Sequence, residues 1–325
     1  MMQYVEKRIS FGIKMQFPIN NPVIVIVGPT ASGKSKLAVD LAVKLDAEIV
    51  SADSRYFYRG MDIGTAKPTF DEMKGIPHHL IDIADPDQVI SLGEFKIKVL
   101  NLIDFIHERK KPVVVVGGSG QYIRSVLEGW TVPEVAPNIR LRTILTEWAN
   151  EIGVAKLHDK LCLIDQVAAD SIDYRNVRRT IRALEVIFLT GKHFSQLRKM
   201  DPKLPFHYKI IGLTYNRLEL YRRIDTRIQN MIQLGMIDEV KKLKDRWGME
   251  YPAMSAIGYR EIAAYLDGKY DLDTAVSLIK KRTRSFVRRQ ANWFKPSDQR
   301  IKWFEAGGNT LDHIIRYIES EEGWN

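Results

Sequence analysis

The sequence predicts an α/β fold in which helices cover both faces of a parallel β-sheet and a helical segment interrupts the sheet-forming chain. Two observations indicate the sheet: short β-branched runs alternate with helical patterns over residues 22–130, and one further strand-like run follows residue 205. A third indicates the insertion, because strand patterns stop over residues 131–204. We therefore expect a core built from residues 22–130 and 205–325, with basic helices at its C-terminal end, and a helical insertion at residues 131–204.

The first part of the core is expected to supply three buried strands. They are predicted at residues 22–28, 47–53 and 112–120, because each run is rich in β-branched residues. Amphipathic helices are predicted at residues 35–46 and 92–111. Unbroken apolar strands separated by helices are typical of a parallel sheet that is buried on both faces.

The rest of the chain has helical patterns on both sides of one strand, which is predicted at residues 207–215. The helical patterns cover residues 138–153, 154–165, 177–191, 217–247 and 273–294. Gly235 is expected to divide the fourth of these into two helices. The strand at residues 207–215 is expected to return the chain to the sheet.

Composition sets limits on the class of protein. The chain has 325 residues, a formal net charge of +9 and a single cysteine, Cys162, so it can form no intramolecular disulfide. No apolar run approaches the roughly 20 residues that span a bilayer, and residues 1–21 do not have the pattern of a signal peptide. We therefore expect a monomeric protein in the reducing cytoplasm, with no membrane partner and with an N-terminal extension of unknown role at residues 1–21.

One motif between the first strand and the first helix predicts a phosphate site. It runs Gly28, Pro29, Thr30, Ala31, Ser32, Gly33, Lys34, Ser35. Its glycines allow backbone N–H groups to surround a phosphate, Lys34 reaches phosphate oxygens, and the Ser35 hydroxyl can bind Mg²⁺. The motif predicts a P-loop NTPase-like core and does not specify what the phosphate is attached to. A glycine turn that binds nothing is disfavoured, since both flanking elements are in place.

Two polar residues follow the second and third predicted strands. Asp53 and Ser119 lie where the carboxyl ends of parallel strands meet, the edge at which open α/β sheets bind ligands. Asp53 could hold Mg²⁺ or accept a proton from a nucleophile, and Ser119 could hydrogen-bond a phosphate or a nucleophile. Helix N-caps are the alternative for both residues. Lys67, which precedes a proline, is expected to be solvated.

Basic residues form two clusters outside the phosphate loop. The first is Arg175, Arg178, Arg179 and Arg182, and the second is Lys280, Lys281, Arg282, Arg284, Arg288 and Arg289. Basic rows with nearby aromatic residues favour a nucleic-acid backbone as partner, and a solvated helix face is the alternative. Arg260, in a turn-to-helix context, suits an anionic ligand, although most lone arginines are surface groups.

The combination of these motifs resembles the tRNA dimethylallyltransferases, also called tRNA isopentenyltransferases. The stretches that carry the resemblance are "GPTASGKS", "DSRYFYRGMDIGTAKP", "GIPHHLID", "VGGSGQYI", "RALEVIFLTGK", "AIGYRE" and "TRSFVRRQANWF". They occur in the order and approximate spacing of that family, from about Val23 to Phe304. The resemblance implies transfer of a dimethylallyl group from dimethylallyl diphosphate to N6 of the adenosine 3′ of the anticodon in tRNA.

The resemblance also implies roles for particular residues. Thr30 to Ser35 would hold the donor diphosphate, with Mg²⁺ near Ser35 and Asp53. Lys34, Asp53, Ser119 and Arg260 would be catalytic, with Asp53 as general base and Arg260 as a clamp on the diphosphate. Contacts to tRNA are implied for Asp53, Ser54, Arg55, Tyr56, Ser119, Arg140, Arg178, Arg179, Thr180, Ile181, Arg182, Ser255, Ala256, Ile257, Gly258, Tyr259 and Arg260.

Some residues depart from the family pattern, and other functions remain as alternatives. Ser119 and Asn292 stand where threonine is usual, Gln121 stands where an apolar residue is favoured, and residues 173–175 replace the usual lead-in to the arginine helix. The alternative functions are prenylation of free adenine nucleotides, a conventional P-loop ATPase or kinase, and a tRNA-binding protein without catalytic activity. The basic insertion argues against the first, and the intact Lys34, Ser35, Asp53 and Arg260 argue against the last.

Overall fold

The computed structural model describes residue 20 and residues 22–130, 133, 135–197 and 204–324. The chain forms two compact units. The first comprises residues 1–90, 98–123 and 205–325, and the second comprises residues 91–97 and 124–204. Apart from Asn20, the N-terminal extension at residues 1–21 lies outside the described residues.

A six-stranded sheet organises the first unit, and every strand pair in it is parallel. The strands are β1 (Pro22–Val27), β2 (Glu48–Ser51), β3 (His78–His79), β4 (Val113–Val116), β5 (His207–Thr214) and β6 (Ile301–Glu305). Their spatial order is β3-β2-β4-β1-β5-β6. Every residue of β1, β2 and β4 is buried, as expected for inner strands of a covered parallel sheet. The predicted α/β class with a parallel sheet is therefore confirmed.

The helices include every one predicted from the sequence, together with several that were not predicted. They are α1 (Lys34–Leu45), α2 (Phe70–Met73), α3 (Leu92–Glu108), α4 (Gly120–Leu127), α5 (Ile139–Ile152), α6 (Val154–Ile164), α7 (Gln166–Asp170), α8 (Val177–Thr190), α9 (Phe194–Leu197), α10 (Arg217–Gln233), α11 (Met236–Trp247), α12 (Tyr259–Leu266), α13 (Leu272–Gln290) and α14 (Thr310–Glu319). Gly235 divides α10 from α11 as predicted, and its φ of 99° is one that glycine adopts readily. None of the described helices is long and apolar enough to cross a membrane.

Each unit has its own buried apolar cluster. In the first unit, Ile24 and Ile26 of β1 belong to one cluster with Leu41 of α1 and Ile314 of α14, so helices cover the sheet. In the second unit, the cluster is formed by residues of α5 to α9, the helices predicted for the insertion together with two short ones. Helices α3 and α4 contribute residues to both units.

Candidate active site

The phosphate motif forms the turn between β1 and α1. Gly28 has φ of +145°, and a Cβ at this position would lie 2.8 Å from the carbonyl oxygen of Leu213. Gly33 has φ of +88° and directly precedes the first residue of α1, so the N-terminus of that helix points into the loop. Glycine is required at these two positions because the first allows a close backbone approach and both have positive φ. The turn has the predicted strand–loop–helix context of a phosphate site.

Lys34 holds its ammonium group at the wall of a cavity and away from bulk water. It is buried, with 9% of its surface exposed, and its Nζ donates a hydrogen bond of 2.6 Å to the carbonyl oxygen of Pro29. Burial lowers the pKa of Lys34 to about 8, the negative charge of Asp53 opposes this shift, and Arg227 adds to it. The lysine is therefore a cation whose charge is costly until an anion binds beside it.

The loops after β2 and β4 meet at the carboxyl edge of the sheet, as predicted. Asp53 is half-buried, and its Oδ1 accepts the N–H of Arg55 at 3.0 Å. The Oγ of Ser119 accepts the N–H of Ser54 at 3.4 Å, which joins the two loops. Asp53 lines the cavity, whereas Ser119 contacts Ser54, the residue that follows Asp53.

The residues after Asp53 fix this loop on two sides. The guanidinium of Arg55 donates to the carbonyl oxygens of Pro252 and Ala253, both at 3.2 Å. Tyr56 lines the cavity and donates its hydroxyl to the carbonyl oxygen of Ala66 at 2.8 Å. Burial raises the pKa of Tyr56 to about 12, so the hydroxyl keeps its proton at neutral pH.

The cavity has a volume of about 900 Å³ and lies between the phosphate loop, the loop after β2 and helix α10. Its charged lining includes Lys34, Asp53, Arg223 and Arg227, and its apolar lining includes Val39, Ile63, Ala66, Met231 and Leu234. Cations, several carboxylates and an apolar wall thus share one concave site, and the cations and the apolar wall suit a ligand with an anionic part and an apolar part.

Helix α10 contributes three arginines to the cavity, Arg222, Arg223 and Arg227, and the sequence predicted none of them as site residues. The Nε of Arg223 donates to the carbonyl oxygen of Ala31 in the phosphate loop at 2.9 Å, and Arg227 donates to the carbonyl oxygen of Thr65 at 3.0 Å. Both line the cavity. A polar stripe at residues 219, 223, 226 and 230 has helical spacing and lies beside the apolar face that was used to predict the helix. That stripe was the available signal for Arg223, and Arg227 follows Arg223 one helical turn later.

Arg260 occupies a different position from these arginines. It is the second residue of α12, its side chain is exposed, and it is absent from the described lining of the cavity. Its neighbours Gly258 and Tyr259 are buried, and the N–H of Gly258 donates to the carboxylate of Glu261. The structure therefore brings together Lys34, Ser35 and Asp53 of the predicted set in the cavity and places Arg260 on the surface.

The "MDIGTAKP" stretch forms a compact loop along the cavity, and Lys67 is its buried cation. The expectation that Lys67 is solvated is wrong, because its side chain is only 5% exposed. Its Nζ bonds the carboxylates of Asp62 at 2.5 Å and Asp82 at 2.6 Å and the carbonyl oxygen of Tyr58 at 2.8 Å. These partners compensate the cost of burying the ammonium group. Lys67 therefore links this loop to Tyr58 and Asp82.

Some of the basic residues on α13 form ion pairs with acidic residues of the same chain. Arg282 pairs with Glu261, and Arg284 pairs with Asp225 at 2.5 Å. The cations of this helix that are exposed to solvent are Lys281, Arg282, Arg288 and Arg289. The surface available to a polyanion is therefore smaller than the count of basic residues indicates.

The basic cluster of the second unit is divided in the same way. Glu185 is fully buried, and its carboxylate accepts hydrogen bonds from Arg142 at 2.9 Å, from Arg182 at 2.6 Å and from the N–H of Asn138 at 2.8 Å. Burial alone would raise the pKa of Glu185, but these hydrogen bonds hold it below its usual value. Arg182 thus belongs to the packing of this unit.

The other predicted tRNA contacts have mixed environments. Arg140 and Arg178 are exposed, Arg179 is half-buried, and Thr180 and Ile181 are buried in the helical cluster. Residues Ser255 and Ile257 are half-buried and Ala256 is buried, with the hydroxyl of Ser255 donating to the carbonyl oxygen of Pro252 at 2.6 Å.

Comparison with known proteins supports the resemblance. The model of the family described as IPP transferase matches residues 56–297. The chain is 47% identical over 275 residues to the tRNA dimethylallyltransferase of Roseiflexus sp. (strain RS-1), a match that covers 84% of this chain and 90% of that protein. It is 44% identical over 309 residues to the tRNA dimethylallyltransferase of Carboxydothermus hydrogenoformans, covering 94% of this chain and 99% of the relative.

Solved structures agree with these relatives. A tRNA isopentenylpyrophosphate transferase from Bacillus halodurans superposes with a TM-score of 0.68 at 40% identity, covering 92% of this chain and 96% of its own. A eukaryotic dimethylallyltransferase acting on tRNA superposes with a TM-score of 0.78 at 28% identity, covering 91% of this chain and 77% of its own. The resemblance noted in the sequence is confirmed over most of the chain.

Proposed function

Because this chain belongs to the IPP transferase family, we propose that it transfers the dimethylallyl group of dimethylallyl diphosphate to N6 of the adenosine 3′ of the anticodon in tRNA. The products are N6-isopentenyladenosine in tRNA and free diphosphate. The protein is thus a prenyltransferase, and none of the comparisons favours an ATPase, a kinase or a transferase for free nucleotides.

The observation that carries the proposal is the composition of the cavity, in which Lys34, Arg223 and Arg227 face the same space as Asp53. Breaking the bond between the allylic carbon and the diphosphate leaves negative charge on the leaving group, and fixed cations stabilise that charge. The adenine amino group is a weak nucleophile that must lose a proton as the new bond forms. Asp53 supplies a carboxylate that can accept this proton.

The apolar part of the cavity suits the dimethylallyl group. Val39, Ile63, Met231 and Leu234 line the cavity together with the cations, so a short prenyl chain and a diphosphate can be held at once. Contact with apolar side chains also excludes water from the reacting carbon. We expect this exclusion to favour transfer over hydrolysis of the donor.

Ser35 and Asp53 fit a Mg²⁺ ion that would accompany the diphosphate. Both line the cavity, Ser35 is the second residue of α1 and is exposed, and each offers a hard oxygen ligand. Mg²⁺ usually takes one or two protein oxygens and fills its remaining positions with water and phosphate oxygens. Bound there, it would neutralise part of the charge on the leaving group.

Exposed cations are the proposed contacts to the tRNA backbone. In the first unit these are Lys281, Arg288 and Arg289 of α13, and in the second unit they are Arg140 and Arg178. Each contact to a phosphate releases counterions, so binding should weaken steeply with salt. The target base must leave the stack of the anticodon loop to reach a cavity of this kind.

Nucleoside analysis of tRNA tests the reaction directly. Unmodified tRNA with an adenosine 3′ of its anticodon is incubated with the protein, Mg²⁺ and labelled dimethylallyl diphosphate, and we expect labelled N6-isopentenyladenosine after digestion. Parallel reactions contain AMP or ATP in place of tRNA, or ATP without the donor. Failure to label tRNA under conditions in which a curated relative does so would refute the proposal. Faster labelling of AMP or ATP than of tRNA would show instead that free nucleotides are the preferred substrates.

The cation that binds the diphosphate is tested by comparing Arg227→Ala with Arg260→Ala. Loss of a charged hydrogen bond costs roughly 1.5–3 kcal/mol, so we expect Arg227→Ala to raise the KM for the donor roughly 10- to 100-fold. Arg217→Ala is the matched control, because Arg217 is the exposed first residue of the same helix and is not among the described residues that line the cavity. If Arg260→Ala raised the donor KM and Arg227→Ala did not, the clamp implied by the sequence resemblance would replace the one proposed from the cavity.

A further inference from the structure

One carboxylate outside the cavity organises the loop that forms its wall. Glu239 lies on α11, and its Oε2 accepts the backbone N–H groups of Asp62 at 3.0 Å and Ile63 at 2.7 Å. Its Oε1 accepts the N–H of Gly64 at 3.0 Å and the hydroxyl of Tyr259 at 2.6 Å. Four donors thus converge on one side chain, from a loop far away in the sequence and from the first residue of α12.

Three successive N–H groups that point at one anion form the kind of concave backbone site that elsewhere binds phosphate. Here the protein supplies the anion itself. Hydrogen bonds to a charged acceptor are roughly twice as strong as bonds between neutral groups, so the conformation of residues 62–64 depends on the charge of Glu239. The fourth donor, the hydroxyl of Tyr259, keeps its proton, because burial and the charge of Glu239 raise the pKa of Tyr259 well above its ordinary value.

The ring of Tyr259 packs directly against this loop. A Cβ on Gly64 would lie 2.7 Å from the ring of Tyr259, so the loop and the ring are in direct contact. The ring is fully buried, and its hydroxyl shares the Oε1 of Glu239 with the N–H of Gly64. Glu239 and Tyr259 therefore hold the loop from one side.

The loop in turn holds an arginine of the cavity. The guanidinium of Arg227 donates a hydrogen bond of 3.0 Å to the carbonyl oxygen of Thr65, the residue that follows Gly64. The hydroxyl of Thr65 donates to the carbonyl oxygen of Met61 at 2.6 Å, which fixes the turn around that carbonyl. Asp62, Ile63 and Arg227 all line the cavity. A displacement of residues 62–64 would move the carbonyl group that orients Arg227.

We propose that Glu239 is a positioning residue for the donor diphosphate, acting through the 62–65 loop on Arg227. The proposal rests on the proposed function, since it takes the diphosphate of a prenyl donor as the ligand of Arg227. Glu239 does not line the described cavity, so its effect on the donor is indirect. This separates it from Lys34 and Arg223, which face the cavity themselves.

The test is a double-mutant cycle between Glu239→Gln and Arg227→Ala. The amide of glutamine has nearly the shape of the carboxylate but keeps only one acceptor oxygen, so half of the acceptor positions for the four donors are lost. We expect Glu239→Gln to raise the donor KM roughly tenfold, with a smaller change in the KM for tRNA. In the Arg227→Ala background we expect the same substitution to change the donor KM less than threefold, because the group it positions is gone.

Asp238→Asn is the control for removing one negative charge from α11, since Asp238 is the exposed neighbour of Glu239. It should leave the donor KM unchanged. A purely structural role of Glu239 would lower Tm and the active fraction but would add independently to Arg227→Ala. Additive effects, or an unchanged donor KM in a folded Glu239→Gln protein, would overturn the proposal.

Tyr259→Phe keeps the test possible if Glu239→Gln lowers the folded fraction. It removes one of the four donors and leaves the carboxylate, so we expect a rise of a few-fold in the donor KM; no rise would overturn the proposal. Calorimetric binding of an unreactive thio-analogue of dimethylallyl diphosphate distinguishes a failure of the proposed function from a failure of the positioning role of Glu239. If wild-type protein binds the analogue without prenylating tRNA, the proposed function fails; if Glu239→Gln binds it as tightly as the wild type, the positioning role fails.

Discussion

Raising the pH should weaken donor binding through Lys34, and the structure gives the midpoint. Burial lowers the pKa of this lysine to about 8 in the free protein. Below that pH the ammonium group can pair with the diphosphate, and above it the group is a neutral amine. Since kcat/KM reports ionisations of the free enzyme, kcat/KM for the donor should be level up to about pH 8 and then fall by up to about tenfold per pH unit.

Stability should change in the opposite direction over the same range. The pKa of Lys34 in the folded chain is lower than the ordinary lysine value of 10.5, so between pH 8 and 10.5 the unfolded chain binds more protons. The free energy of unfolding therefore rises with pH through this window, by up to about 3 kcal/mol from this group. A loss of donor binding above pH 8 is thus not explained by the effect of Lys34 on folding.

The assay is calorimetric binding of an unreactive thio-analogue of the donor from about pH 6.5 to about pH 9.5. Lys34→Arg is the control, because arginine keeps its proton over this range and should flatten the profile. Asp53→Asn removes a negative charge that supports the ammonium group and should move the midpoint to lower pH. A wild-type profile that stays level to the highest pH, or one that Lys34→Arg leaves unchanged, would refute the reasoning.

Three further substitutions test other parts of the site. Asp53→Ala should lower kcat roughly 10²- to 10⁴-fold with little change in tRNA affinity by filter binding; normal turnover would exclude the general-base role. Gln290→Met leaves the N–H of Thr30 and the carbonyl oxygen of Gly118 without their 2.9 Å partner, and urea unfolding should show a loss of about 2 kcal/mol. A loss below about 0.5 kcal/mol would mean that water replaces the amide. Arg288→Ala should weaken tRNA binding and reduce its salt slope by about one, whereas an unchanged slope would argue against a phosphate contact.

Local sequence patterns predicted the parts of the site that are built by neighbours in the chain. The phosphate loop needs only β1, α1 and two glycines with positive φ, all within residues 22–45. Asp53 and Ser119 could be placed at one edge because carboxyl ends of parallel strands must meet there. Strands β3 and β6 were not predicted, since a two-residue strand has no measurable period and β6 is only partly buried.

Contacts between distant segments were beyond the reach of the sequence. Arg223 reaches a phosphate-loop carbonyl that lies 192 residues earlier, and Gln290 bonds an amide 260 residues earlier. An arginine on an amphipathic helix has the same pattern whether it faces solvent or a cavity. The same limit led to the wrong expectation for Lys67, which has three partners that only the folded loop provides.

Counting basic residues overstated the surface open to nucleic acid for a related reason. Arg284 neutralises Asp225, and Arg182 neutralises the buried Glu185, so these guanidinium groups stabilise the fold. The sequence does not show whether a basic side chain is exposed or forms an ion pair, whereas a phosphate contact requires an exposed and unpaired cation. Exposure leaves four cations on α13, and the ion pair of Arg282 with Glu261 narrows the proposed footprint to Lys281, Arg288 and Arg289.

The phosphate loop alone fits ATP and a prenyl diphosphate equally well, and its surroundings distinguish the two. One of its amides, the N–H of Thr30, is already bonded to Gln290 rather than pointing at a ligand. Further positive charge comes from α10, through Arg223 and Arg227, which suits a leaving group held from two sides. A carboxylate and an apolar wall complete the cavity, and a prenyl donor with an incoming amine needs both. We therefore propose that the loop holds a diphosphate that departs, while the nucleotide that reacts is part of the tRNA.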